Sequence, residues 1–256
     1  MNYAEQLLVI CPLIFVSGFI DSIAGGGGLI SLPTYHIAGF QPHFALGTNK
    51  FVSSIGTIFS TLRFVRNKSY NLTSAIPSVI FSLIGAAIGA KIAIYLDVIV
   101  LRYILVFGIP VIAVIVYKRK NLEVRTRKTL SKTRIIIYSS IIGFVIGGYD
   151  GFFGPGTGTF LILLYTSVLG FDLLTSMGTA KLVNLASNLS SLVVFLIEGK
   201  IIFAIGIPAA CCAIAGHYIG SGFAIKNGQR IVRPILLLVL FLLLTKLVVD
   251  LFQGAS

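Results

Sequence analysis

Gly18-Phe-Ile-Asp-Ser-Ile-Ala-Gly-Gly-Gly-Gly28 interrupts an apolar segment near the start of the chain, and Gly148-Tyr-Asp-Gly-Phe-Phe-Gly-Pro-Gly-Thr-Gly158 interrupts a second one. Glycine loses backbone entropy when it is ordered in a helix, and proline removes a backbone hydrogen-bond donor. A continuous helix is therefore disfavoured at both places. The two stretches predict broken helices, around which the rest of the chain is arranged.

The composition places these breaks in a membrane protein. Of the 256 residues, 56% are hydrophobic and only 11% are charged, which is outside the range of soluble globular domains. The net charge of +12 would suggest nucleic acid in a soluble protein, but the basic residues crowd into a few short loops, as orientation signals do. We expect an all-α polytopic membrane protein with the lipid bilayer as a partner and no nucleic acid. The three cysteines lack metal-ligand spacing, and no metal or other cofactor is expected.

The chain holds eight apolar segments that approach the length of a membrane span and two shorter ones. The long segments are Leu7 to Ala24, Ala45 to Leu62, Ile76 to Leu96, Ile99 to Tyr117, Ile135 to Tyr149, Leu182 to Ile197, Ile201 to Ile219 and Ile231 to Val249. Each break is followed by a short piece, at Leu29 to Phe40 and at Phe160 to Leu169, which is too short to span alone. These pieces are interpreted as broken or re-entrant half-helices.

The order of segments occurs twice, which predicts a tandem duplication. At a constant offset of 131, Gly47-Thr48-Asn49-Lys50 aligns with Gly178-Thr179-Ala180-Lys181. Pro77, Gly85, Gly89 and Arg102 align in the same register with Pro208, Gly216, Gly220 and Arg233. Internal repeats of this kind are typical of transporters. The spaced glycines of this second set are interpreted as helix-packing positions.

Basic residues between the two repeats indicate their orientation. Residues 118–134 carry eight Lys or Arg against one Glu, which predicts a cytoplasmic linker between a first repeat at 1–117 and a second at 135–256. If the short pieces cross the membrane, the basic loops near Arg63 and Lys226 are also cytoplasmic. If they re-enter, the loop at Lys226 falls outside, against the charge rule. We favour pseudo-symmetric, inverted halves with both termini outside.

The two breaks, with Gly-Thr-Asn-Lys50 and Gly-Thr-Ala-Lys181, resemble the sulfite exporter TauE/SafE family of membrane transporters over the whole chain. The resemblance implies a multi-pass protein of the cell membrane that carries out secondary transport of small anions, typically sulfite or organosulfonates. It does not specify the substrate, the direction of transport or the coupling ion.

The residues themselves also indicate an anion site. A helix that starts at a break directs backbone N–H groups and a positive dipole end at membrane depth, where transporters bind substrate. Lys50, Ser53, Thr57 and Ser60, and again Lys181, Asn184, Asn188 and Ser191, follow one helix face at spacings of three, four and three. Such a polar face should point into the bundle. Snorkelling of each lysine to the headgroups, and a packing role for the glycines, are the alternatives.

The candidate substrate-binding residues are those of the breaks and of the polar faces. They are Gly25, Gly26, Gly27, Gly28, Thr48, Asn49, Lys50, Gly154, Gly156, Thr157, Gly158, Thr179, Lys181, Asn184 and Asn188. Asp21 and Asp150, the acids within the breaks, are candidates for proton coupling or for structural ion pairs. The histidines, His36, His43 and His217, are interpreted as core or interfacial residues, with a proton relay as the alternative.

We therefore expect a gradient-coupled small-anion transporter that works by alternating access, with no enzyme activity; monomer and homodimer both remain open. A passive anion channel would use the same basic and backbone groups without alternating access. An intramembrane aspartyl protease is a third alternative because of Tyr149-Asp150, but Asp21 does not lie in the Gly-x-Gly-Asp motif that such enzymes carry. Transport against a gradient distinguishes the three classes.

Overall fold

A computed structural model describes residues 2–97 and 130–227, and this part of the chain is helical, without strands. Two series of helices have the same order: long, short, long, long. The first series is α1 (Tyr3–Ala24), α2 (Gly28–Ile37), α3 (Pro42–Arg66) and α4 (Leu72–Tyr95), and the second is α5 (Lys132–Phe152), α6 (Thr157–Ser167), α7 (Leu173–Ile197) and α8 (Phe203–Asn227). The predicted spans at 99–117 and 231–249 and linker residues 118–129 lie outside the described residues.

Both breaks are shorter than the sequence predicted. α1 continues through Asp21 to Ala24, and Gly25 ends it in a left-handed conformation with φ 77°, its N–H donating to the Asp21 carbonyl at 2.8 Å. α5 continues through Asp150 to Phe152. The glycines in the last turns of α5 are compatible with helix because the backbone of α4 packs against Gly147 and Gly151. The first break is thus 25–27 and the second is 153–156.

The long central helices begin earlier than the apolar segments that predicted them. Pro42 occupies the first turn of α3, where a missing N–H costs nothing. Asp172 caps α7, and its carboxylate accepts from the Thr175 N–H at 3.0 Å. Lys50 and Lys181 consequently lie well inside their helices, whereas the sequence placed each near the start of a span.

Five of the described helices, α1, α4, α5, α7 and α8, are long and apolar enough to cross a membrane. Their outward faces carry exposed Ile, Leu, Val and Phe side chains. Apolar surface of that extent is unfavourable in water and favourable in lipid. The chain is a multi-pass membrane protein.

Helices of one series pack mainly on helices of the other. α1 packs along α8 and α4 packs along α5, while α3 and α7 contact each other between these pairs. A Cβ atom at Gly85 or Gly89 would meet the backbone of α5, and one at Gly216 or Gly220 would meet the backbone of α1. These four glycines are packing positions, as predicted, and they allow the two series to approach closely.

Candidate functional site

The two breaks meet in the interior of the protein. A side chain at Gly25 would collide with the backbone of Gly158 and Thr159, and one at Gly158 would collide with Gly25. The Thr159 hydroxyl donates to the Ala24 carbonyl at 2.6 Å, which joins the end of α1 to the start of α6. Gly28 lies against Pro155 in the same way. Gly25, Gly28 and Gly158, three of the candidate substrate-binding residues, are therefore brought together, and close packing of the backbone is one of their roles.

Lys50 of α3 forms a buried ion pair with Asp150 of α5. The Lys50 Nζ lies 2.9 Å from Asp150 Oδ1, and the two side chains are 2% and 3% exposed. The same ammonium donates to Asn188 Oδ1 of α7 at 3.1 Å. The Thr157 hydroxyl is shared between Asp150 Oδ1, at 2.9 Å, and the Gly154 carbonyl, at 2.7 Å, and the Ser187 hydroxyl donates to Asp150 Oδ2 at 2.7 Å. Both oxygens of this carboxylate are thus satisfied.

Lys181 of α7 forms the second ion pair, with Asp21 of α1. Its Nζ lies 2.7 Å from Asp21 Oδ2 and also donates to the Asp21 carbonyl at 2.6 Å. The other carboxylate oxygen accepts from the Gly27 N–H, at the beginning of α2, at 3.1 Å. Each lysine therefore pairs with the aspartate from the other series of helices, so that the two pairs cross between the series.

The burial of both lysines disagrees with snorkelling. A snorkelling side chain ends at the protein surface, whereas Lys50 is 1% and Lys181 is 2% exposed. Removing two charges from water is costly, and only a close counter-charge with further hydrogen bonds compensates for that cost. The four charged groups of the two pairs sum to zero. The site is therefore electrically balanced in this conformation.

The aspartates also lie at the positive ends of the short helices. The N-terminus of α2 follows Gly27 and that of α6 follows Gly156, and neither has a side-chain cap from its N-cap residue. Asp21 accepts from the Gly27 amide and Asp150 from the Thr157 hydroxyl. Carboxylates are stabilised at such helix ends by the dipole and the free N–H groups.

The polar faces of α3 and α7 point inward, with one exception. Thr57, Ser60, Asn184, Asn188 and Ser191 are all buried, but Ser53 is only half-buried. The adjacent Ser54 is buried in its place and donates to the Lys50 carbonyl at 2.7 Å. The remaining break residues surround the pairs: Gly154 borders the ammonium of Lys50, Gly26 is buried within the first break, and Gly156 adopts φ 80° before α6.

The threonines of the two Gly-Thr motifs make hydrogen bonds away from the ion pairs. Thr48 Oγ1 accepts from the Ile202 N–H at 3.0 Å, and Thr179 Oγ1 accepts from the Asn71 N–H at 3.1 Å. Each hydroxyl thereby satisfies an amide just before a helix of the other series. Asn49 is buried, and its Oδ1 has no hydrogen-bond partner among the described residues. The threonines serve as structural caps in this conformation.

The sequence analysis missed one residue at the pairs, Ser187, and predicted no partner for a second, His217. The Ser187 hydroxyl donates a hydrogen bond to Asp150. Ser187 lies three residues after Asn184, so the helical spacing could have identified it. His217 of α8 was interpreted as a core or interfacial histidine. It is buried, with Nε2 4.0 Å from Asp21 Oδ2 and Nδ1 3.2 Å from the Ser60 Oγ. The packing of α8 on α1, which sequence spacing does not show, places it there.

Comparison with known proteins agrees with this architecture. The family model described as sulfite exporter TauE/SafE matches residues 10–247. The "probable membrane transporter protein" of Haemophilus influenzae is 34% identical, with 98% of each chain covered. The "probable membrane transporter protein YfcA" of Escherichia coli K12 is also 34% identical, over 98% of this chain and 95% of its own. The "probable membrane transporter protein ORF9" of a Sinorhizobium species is 35% identical over 92% and 90%.

No solved structure matches the chain at a significant level. The family match covers nearly all of the sequence, including both breaks and both lysines. On this evidence, the chain belongs to the sulfite exporter TauE/SafE family.

Proposed function

We propose that this protein is a secondary transporter of a small anion in the cell membrane. The anion is sulfite, an organosulfonate or a related sulfur or carboxylate compound. The relatives named as probable membrane transporters, and the family itself, support transport as the function. The observation that carries the proposal is the pair of crossed, buried ion pairs at the breaks.

The ion pairs support an anionic substrate because each aspartate acts as an internal anion. The Asp21 carboxylate binds a buried ammonium and a backbone N–H at the start of a short helix. The carboxylate or sulfonate of a substrate has the same charge and accepts the same hydrogen bonds. An ammonium inside a membrane protein is disfavoured by roughly 3 kcal/mol on insertion scales, and in this conformation the aspartates offset that cost. A substrate anion that replaces an aspartate would offset it in the same way.

The crossing of the pairs supports alternating access. Because each pair joins one series of helices to the other, a rocking motion of the halves must stretch or exchange both pairs. In the proposed arrangement, eight long spans and two short pieces form inverted repeats with the site at their interface. When the charged groups of the binding site change partners as the halves move, transport is coupled to a gradient. A passive channel requires no such change of partners.

An intramembrane protease would need a different arrangement of its carboxylates. Aspartyl catalysis uses two carboxylates that share one proton. Asp21 and Asp150 instead each hold a separate lysine, at 2.7 Å and 2.9 Å. We expect no enzyme activity from this site.

Transport by the purified full-length chain in proteoliposomes tests the proposal. We expect accumulation of sulfite, ethanesulfonate or a small carboxylate above its outside concentration when an ion gradient is imposed. Lys50→Gln and Lys181→Gln keep hydrogen-bonding capacity but lose charge, and each should reduce anion affinity at least tenfold. Lys91→Gln is the matched control, since Lys91 is an exposed lysine on the long helix α4.

Three results would contradict the proposal. Flux that only equilibrates the anion would favour the channel. Unchanged affinity in the folded Lys50→Gln/Lys181→Gln double variant would remove the lysines from the site. Absence of flux for every anion tested would remove anion transport itself. Size-exclusion profiles of each variant show whether it is folded.

A further inference from the structure

The two ion pairs have unequal surroundings. Asp150 accepts from Lys50, Thr157 and Ser187, and its side chain is 3% exposed. Asp21 accepts only from Lys181 and the Gly27 amide among the described groups, and its side chain is 17% exposed. The Asp150 carboxylate therefore accepts one more hydrogen bond than the Asp21 carboxylate and is less exposed.

The two pairs differ because the halves carry different residues at two aligned positions. At the offset of 131, Ser187 aligns with Gly56, and His217 aligns with Ala86. A Cβ at Gly56 would collide with the His217 ring, so the imidazole fits only because this position lacks a side chain. One pair thus has a serine hydroxyl beside its carboxylate, and the other has an imidazole near it.

The charged groups that act on the His217 ring are those of the second pair. Asp21 faces it from α1, with 4.0 Å between Oδ2 and Nε2, and Lys181 of α7 binds the same carboxylate oxygen at 2.7 Å. From α3 it meets Gly56 and the Ser60 hydroxyl. Arg63, also on α3, is held by the carbonyl and the ring of Tyr218. A proton on Nε2 would therefore lie between one carboxylate and one ammonium.

A second observation is a buried hydroxyl without a hydrogen-bond partner on α3, at the residue after Gly56. Thr57 lies between Gly56 and Ser60 on α3 and is fully buried, and its Oγ1 has no partner within the described residues. At the offset of 131 it aligns with Asn188, which binds Lys50 at the other end. A buried polar group without a partner is costly, so a ligand that bonds to it is favoured.

We infer that His217 is the proton-coupling residue of the transporter and that Lys181–Asp21 is the pair that exchanges partners when the anion binds, while Lys50–Asp150 stays closed during that step. This inference rests on the proposed function. A proton enters on His217 Nε2, and the imidazolium takes over the Asp21 carboxylate. The Lys181 ammonium is thereby released and binds the substrate anion, with the Thr57 hydroxyl as a second donor. One proton and one monovalent anion enter together, so the charge of the site does not change.

Proton uptake on anion binding tests this inference without any transport measurement. The probe is ethanesulfonate, because its sulfonate stays ionised across the working range and carries no proton itself. Calorimetric titration of the detergent-solubilised full chain in buffers of different ionisation enthalpy gives the number of protons taken up per anion. We expect about one proton near neutral pH, and therefore an affinity that falls about tenfold per pH unit as the pH rises.

Two variants separate the coupling role from a structural one. Gly56→Ser/His217→Ala copies the residues of the other half, and His217→Gln changes only the imidazole. In either variant, proton uptake should fall to near zero and the affinity should no longer change with pH. His36→Gln removes an exposed histidine and should keep one proton per anion.

The outcomes distinguish this inference from the proposed function. Wild-type binding of ethanesulfonate without proton uptake would overturn the role of His217 and leave anion transport standing, as would undiminished uptake in both His217 variants. Failure of the wild type to bind ethanesulfonate, sulfite and small carboxylates alike would overturn both.

Discussion

Neutralising Asp150 should destabilise the protein more than any other single isosteric change at the site. In Asp150→Asn, the Lys50 ammonium, which is 1% exposed, loses its counter-charge and keeps only neutral acceptors such as the Asn188 oxygen at 3.1 Å. Breaking a buried ion pair by removal of one partner costs about 3–5 kcal/mol. The NH2 group of the amide donates and cannot accept, so one hydroxyl bond worth about 1 kcal/mol is lost as well.

The loss corresponds to a fall in Tm on the order of 10 °C for a chain of this size. The chain contains no Trp, so the folded fraction is best followed by size exclusion after heating in detergent. The double variant Lys50→Met/Asp150→Asn removes both charges and should be more stable than either single variant, because no unpaired charge remains buried. Glu198→Gln, at an exposed acid, is the control for loss of a carboxylate.

Two results would refute this reasoning. If Asp150→Asn melts at the wild-type temperature, the carboxylate carries no buried charge that matters for folding. If the double variant loses the sum of the two single losses, the lysine and aspartate are not energetically coupled, and the 2.9 Å contact does not describe a working pair.

Further predictions concern topology, close packing and capping. Introduced cysteines near Asn2 and Ser256 should react only with reagents added outside the cell, and labelling only from the cytoplasm would refute inverted halves. Gly25→Ala should lower Tm by several degrees, and Gly39→Ala should lower it less, because both residues have positive φ but only Gly25 lies against another backbone. Equal falls in Tm would show that the effect comes from φ alone. Thr48→Val should lower the free energy of unfolding by about 1–3 kcal/mol, because it leaves the Ile202 amide unpaired, and anion affinity should not change. A large loss of affinity would instead show that Thr48 binds the anion.

Sequence spacing predicted the parts of the site that depend on a single helix. The lysines and the polar residues of α3 and α7 repeat at helical intervals, so the face they share follows from backbone geometry. The glycine clusters predicted the two breaks because no other residue pattern is so unfavourable in a helix. The predicted breaks were too wide, since glycines such as Gly151 were counted as helix-breaking although close packing keeps them helical.

Contacts between helices could not be predicted in the same way. Lys50 could pair with Asp21 of its own half or with Asp150 of the other, and nothing in the spacing favours one of these. No partner of His217 could be predicted from the sequence. Its ring packs against Gly18 and Gly56, and a glycine has no side chain from which such a contact can be predicted. The bonds of Thr48 and Thr179 to distant amides could not be predicted either, because the recurrence of the Gly-Thr motifs does not indicate a partner.

The crossed ion pairs also constrain how the protein is made. Lys50 is synthesised 100 residues before Asp150, and Asp21 is synthesised 160 residues before Lys181. At about 5–20 residues per second, each early charge waits on the order of 5–30 s for its partner. During that interval Lys50 and Asp21 lack the partners that they have in the folded protein. The first half alone should therefore be a substrate for quality-control proteases, and co-expression of the two halves as separate polypeptides should protect it.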